Sequence, residues 1–173
     1  MTASKKTQIK RIVFVGRRNV GKSSLVNAFL GKEVCTVDEC QSKVRELLEI
    51  PFELPPYGSV VVVDTVPLEE QKELNQNRIN QAITAFASAD FVVVVLDARE
   101  KLSQEDKSIF DQIKKLSIPF LTAVNKIEFG INSELINGLR ALNIVHFEIS
   151  CKENAGIDAL KSRITRLLPR EQT

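Results

Sequence analysis

Few folds accommodate an apolar run such as RIVFV at 11–15 leading straight into a glycine-bounded loop, GRRNVG at 16–21, and then into the helix-favouring KSSLVNAFL at 22–30. An unbroken apolar run is what a strand covered on both faces requires, because neither face meets water. Glycine permits a tight reversal and lets backbone N–H groups converge on one point. A helix that opens at that point adds the positive end of its dipole. Strand, loop and helix in this order therefore form a cradle for an anion, with Lys22 at its lip.

Three more continuous runs, Ser59–Val63, Phe91–Leu96 and Pro119–Val124, lack polar alternation and read as further doubly covered strands, with Ile144–Ile149 as another. Between them apolar residues recur at helical spacing: Ile79, Ile83 and Phe86; Ile109, Ile113 and Leu116; Leu135, Leu139 and Leu142; Ile157, Leu160, Ile164 and Leu167. Ser103 with Asp106 resembles a capping box, and Pro169 falls just past the last stripe. Alternation of strands and helices predicts a three-layer α/β domain, a mainly parallel sheet of about six strands with helices on both faces. Cys40–Gly58 is the least regular part, interrupted by Pro51, Pro55 and Pro56, and Val44–Ile50 is a candidate edge strand. Residues 1–10 read as a basic leader (Lys5, Lys6, Lys10), 11–169 as the domain and 170–173 as a tail or the start of a linker.

Gly16-Arg17-Arg18-Asn19-Val20-Gly21-Lys22-Ser23 fits G-x-x-x-x-G-K-[ST] in the context that motif requires. Gly16 and Gly21 shape the loop, Lys22 reaches the β and γ oxygens, and Ser23, followed by Ser24, presents a hydroxyl to Mg²⁺. A second metal-side acid is expected at the end of a neighbouring strand. Asp64 stands there, with Asp97 as a weaker competitor. Asn125-Lys126-Ile127-Glu128 ends the Pro119–Val124 run, and Ser150-Cys151-Lys152 follows Ile144–Ile149.

Together with the cradle, these two segments resemble the GTPases, where Asn-Lys-x-Asp reads guanine and a Ser-Ala-Lys loop supports the base. GRRNVGKSSLVNAFLGKEV (16–34), VVVVDT (60–65) and NKIE (125–128) resemble in particular the GTPase domain of the FeFe-hydrogenase maturation factors, in the Era and TrmE-like branch. The resemblance implies GTP or GDP with Mg²⁺, contacts to guanine from Asn125, Lys126 and Glu128 supported by Ser150, Cys151 and Lys152, and catalysis through Lys22. It also implies a K⁺ ion held by Asn19, against the alternative of a loop-bracing asparagine. The whole maturation factors carry dimerisation and iron–sulfur domains, and neither is expected in these 173 residues. Cys35, Cys40 and His146 make no cluster site.

Several positions depart from the family pattern. Glu128 is one methylene longer than the aspartate, and Cys151 replaces the alanine. Asp64-Thr65-Val66-Pro67 lacks the glycine whose N–H reaches the γ-phosphate, and Pro67 has no N–H to offer. Cys40–Arg45 lacks the first-switch threonine. Slow hydrolysis is therefore expected, the alternative being a degenerate GTPase fold that serves as an interaction module; an ATP-specific enzyme is poorly served by Asn125. A net charge of +2, from 24 Lys plus Arg against 22 Asp plus Glu, indicates neither nucleic acid nor an anionic membrane and is itself neutral on partners; unidentified protein partners are expected. Three cysteines without a C-x-x-C pair fit a reducing cytoplasm, and no apolar run is long enough to span a bilayer.

Overall fold

The computed structural model describes residues 8–34, 48–65 and 84–170. Along the chain these form β1 (Lys10–Gly16), α1 (Lys22–Leu30), β2 (Leu48–Leu54), β3 (Gly58–Asp64), β4 (Phe91–Asp97), α2 (Gln104–Lys115), β5 (Phe120–Asn125), a 3-10 turn (Ile127–Phe129), α3 (Ser133–Ala141), β6 (His146–Glu148) and α4 (Ile157–Leu167). Residues 84–87 are also helical. The six strands lie in the order β2-β3-β1-β4-β5-β6. All pairs are parallel except β2 with β3.

Side-chain alternation along the buried strands splits the core in two. Ile12, Phe14, Val62, Val93 and Val95 face α1 and α4 through Leu25, Phe29, Leu160 and Ile164. Val13, Val15, Val92, Val94 and Leu96 face the other layer through Phe86, Phe110, Ile113, Leu135 and Leu139. The three expected layers are therefore present. Leaving β1, the chain passes through α1 to β2 and back along β3 on one side; after β3, the next strand, β4, lies on the other. This reversal opens a crevice at the carboxyl ends of β1 and β3, the place where such sheets take ligands.

The helix signals hold where they are local. Ser103 accepts from the Asp106 N–H, and the Asp106 carboxylate accepts from the Ser103 N–H, so the capping box at α2 is complete. Three expectations change. β2 runs through Pro51, which pairs opposite Val61 and so does not interrupt the strand. An edge strand bonds a neighbour along one side only, and alternate residues turn their N–H away from it. Leu116 is 46% exposed because it caps α2 instead of extending its stripe, and Leu167 is 38% exposed while Leu168, where the backbone leaves helical geometry, turns in at 2%. The run 144–149 yields only the three-residue β6. Ile79, Ile83 and residues 44–47 lie outside the described residues. Among the described residues no helix is long and apolar enough to cross a membrane.

Candidate functional site

At the crevice, the register sets Phe14 of β1 opposite Asp64 of β3, which brings the start of α1 against the end of β3. The Ser23 hydroxyl donates to Asp64 Oδ2 at 3.1 Å. The Lys22 ammonium lies 3.7 Å from Asp64 Oδ1 and donates to the Thr65 hydroxyl at 3.2 Å. That hydroxyl in turn donates to the Phe14 carbonyl at 2.8 Å. Lys22 is 4% exposed and Asp64 2%, so each charge is placed in a low-dielectric setting where it needs the other. Ser23 and Asp64 offer hard oxygen donors without a thiol or imidazole. Mg²⁺ usually takes one or two such protein groups, and phosphate oxygens and water complete the octahedron. The donors fit that ion, and among the described residues no group of three His, Cys, Asp or Glu offers a rival site.

The loop between β1 and α1 is fixed by its glycines. A Cβ at Gly16 would stand 2.7 Å from the Val95 carbonyl. Gly21 caps α1 at φ +88°, and a Cβ there would stand 2.3 Å from Asn125 Nδ2. Asn125, 2% exposed at the end of β5, donates to the Val20 carbonyl at 3.0 Å and accepts from the Cys151 N–H at 3.1 Å. One amide thus ties the cradle, the end of β5 and the loop after β6. Val20 points into the core. Arg17 sends its side chain away from the cradle, pairing with Glu100 at 2.6 Å and with Asp106 of α2 at 3.2 Å; its contribution at the loop is backbone alone. Arg18 and Asn19 are exposed, Asn19 at φ +60° with its carbonyl accepting from Lys126.

Beside the cradle lies a cavity of about 250 Å³ lined by Gly21, Ser24, Asn125, Lys126, Glu128 and Phe129, with Cys151 and Lys152 completing it. A hydrogen bond from Ser150, fully buried behind the cavity, holds the Glu128 carboxyl below its ordinary range, and Lys152 and Lys126 add to the effect. Among the described residues Oε2 of Glu128 is buried without a hydrogen-bond partner, so its acceptor capacity is unmet. An ionised carboxylate only accepts, so the cavity suits a base edge rich in N–H donors. Burial pushes the Cys151 thiol up to about 11, and the nearby Glu128 charge works in the same direction.

Three residues of this neighbourhood went unassigned or misassigned in the sequence. Thr65 bears the ammonium of Lys22, and only its place directly after Asp64 hints at that. Phe129 is 56% exposed at the cavity's edge. Asp97, instead of competing for a metal, pairs with Arg99 at 2.7 Å and Lys126 at 3.1 Å. Burial works to raise its pKa, but the hydrogen bonds from Arg99 and Lys126 outweigh it and hold the carboxyl well below the usual range. Pro67, Cys35 and Cys40–Arg45 lie outside the described residues.

The sequence matches the family described as 50S ribosome-binding GTPase over residues 11–126. Among curated relatives, it is 29% identical over 161 residues to GTPase Der of Campylobacter curvus, covering 90% of this chain and 34% of Der. It is 30% identical over 159 residues to the tRNA modification GTPase MnmE of Clostridioides difficile, covering 91% and 34%. The chain thus spans about a third of the length of these relatives. The structure superposes on Aquifex aeolicus Era bound to GDP and aluminium fluoride with a TM-score of 0.77 and 26% identity, covering 95% of this chain and 58% of Era. A second Era structure, holding MgGDPNP and a segment of 16S ribosomal RNA, gives 0.76 at 25% identity over 96% of this chain and 59% of that one.

Proposed function

This chain belongs to the 50S ribosome-binding GTPase family, and from that premise we propose that it binds GDP and GTP with Mg²⁺ and hydrolyses GTP slowly. The observation that carries the guanine reading is the Glu128 carboxylate, held from behind by Ser150 at the edge of the cavity next to the cradle. Guanine presents a ring N–H and an amino group side by side. Adenine presents a ring acceptor where that N–H would be, and a carboxylate repels it.

In this reading Lys22 leaves the Thr65 hydroxyl for the β and γ oxygens, and the loop N–H groups between Gly16 and Ser23 receive the phosphate chain. Ser23 and Asp64 would hold Mg²⁺, which when bound would supply positive charge to the phosphate oxygens. Asn125 braces the loop, Lys126 and Lys152 border the base, and Ser150 with the Cys151 backbone positions Glu128 and Asn125. Hydrolysis is slow because Pro67 offers the γ-phosphate no N–H and the first-switch stretch 40–45 has no threonine. Asn19 is the residue that a stimulating K⁺ would use. Residues 16–34 support the finer assignment to the hydrogenase-maturation branch, and the near-neutral charge adds no chain-wide field that would favour RNA, so the partner in this reading is a protein.

Calorimetry with GDP, GDPNP and ATP, each with Mg²⁺ and with K⁺ exchanged for Na⁺, tests the reading. GDP should bind at least about tenfold more tightly than ATP, the minimum expected when a charge-assisted hydrogen bond is lost. Failure to bind either guanine nucleotide, or a preference for adenine, overturns it. Turnover abolished by Lys22→Ala separates a slow enzyme from a non-hydrolysing interaction module, the reading favoured if the unaltered chain shows none.

A further inference from the structure

We propose, resting on the guanine reading above, that Phe129 is a positioning residue for the base: its ring holds Lys152 in place as a wall of the cavity. Asp97, 3% exposed at the end of β4, accepts from Arg99 Nε at 3.0 Å and Nη2 at 2.7 Å and pairs with Lys126 at 3.1 Å. The Arg99 guanidinium carbon lies 5.3 Å from the Phe129 ring centroid, and the Lys152 ammonium lies 5.3 Å from the same centroid. Both separations are within cation–π range. A string of contacts thus runs from one buried carboxylate to both lysines of the cavity, to Lys126 directly and to Lys152 through Arg99 and the ring. The Glu128 charge, which acts on Arg99, Lys126 and Lys152 alike, offsets the repulsion among these cations.

A phenyl ring 56% exposed gains little from burial. Its location is explained instead by the two cations it engages and by the cavity it lines. A flat purine needs apolar surface against its faces, and lysine stems provide it while their ammonium groups stay in water. Lys126 is fixed by Asp97 and by the Asn19 carbonyl. Lys152 is fixed by the ring and by the charge of Glu128. Loss of the ring frees one wall and leaves the Glu128 hydrogen bonds to the base intact, so nucleotide leaves faster and guanine selectivity is kept.

The test uses the 173-residue chain with Phe129→Leu, Phe129→Trp, Lys152→Met and the Phe129→Leu/Lys152→Met pair, reading dissociation of fluorescent GDP, acetylation of Lys152 in the nucleotide-free protein, and Tm. Phe129→Leu should speed dissociation about 2–5-fold, the worth of one exposed cation–π contact, and should raise Lys152 acetylation without lowering Tm. Phe129→Trp should restore both, and Phe129→Leu should add nothing in the Lys152→Met background. Unchanged acetylation in Phe129→Leu, or effects of the two single changes that multiply, would overturn the inference. Absence of GDP binding by the unaltered chain overturns the guanine reading beneath it, an outcome the acetylation measurement keeps distinct.

Discussion

Replacing Gly21 by alanine strikes the point where cradle and base loop meet. At φ +88° a side chain costs about 1–2 kcal/mol of backbone strain. The new Cβ would also stand 2.3 Å from Asn125 Nδ2. A surface asparagine could swing aside, but Asn125 is 2% exposed and bonded at both ends, to the Val20 carbonyl and the Cys151 N–H. Moving it strands at least one buried polar group, a further cost of about 1–3 kcal/mol. The total is about 2–5 kcal/mol. Gly31→Ala is the control, because Gly31 shares a positive φ of +69° yet, among the described residues and apart from its chain neighbours, has no atom within 4 Å of its would-be Cβ, leaving strain alone. In urea unfolding with an unchanged m-value, Gly21→Ala should fall below Gly31→Ala by about 1–3 kcal/mol, and its Tm should lie about 2–12 °C lower. GDP affinity should drop in the first variant and hold in the second. If the two alanine variants agree within about 0.5 kcal/mol, Asn125 is not the fixed strut described here.

Ser103→Ala removes the α2 capping box and should cost about 1 kcal/mol in urea unfolding. Asp97→Asn leaves Arg99 and Lys126 without their shared carboxylate; both partners are partly exposed, so the loss should be about 1–2 kcal/mol, accompanied by faster GDP release. Glu128 sits below its ordinary 4.5, so the contribution of its ionised form is complete above that value and lost as pH falls through the lowered one; GDP affinity measured by fluorescence should stay flat from pH 8 to about 5.5. Alkylation of Cys151, followed by peptide mass spectrometry, should keep accelerating with pH up to about 11 and be slowed by GDP.

The cradle was legible because its chemistry is written in contiguous residues: a strand, two glycines, a lysine and a serine need no distant partner to be recognised. The doubly covered strands were equally plain, since valine runs such as 60–63 and 92–95 leave no alternative face. The limits appear where a side chain chooses among neighbours distant in sequence. Arg17 belongs to the cradle by position and to Glu100 and Asp106 by contact. Asp97 ends a strand much as Asp64 does, and only the folded arrangement of Arg99 and Lys126 shows that it anchors cations. Pro51 argued against a strand until the sheet order placed that strand at an edge.

The Asn125 amide joins groups 105 and 26 positions away along the chain. During synthesis, the loop at 16–23 leaves the ribosome long before Cys151 exists. Until residues near 151 have emerged, the asparagine has only one of its two anchors. The expected outcome is that nucleotide is retained only once β6 and its following loop have closed the far side of the site, so chains arrested before that point should fail to retain GDP however complete their cradle.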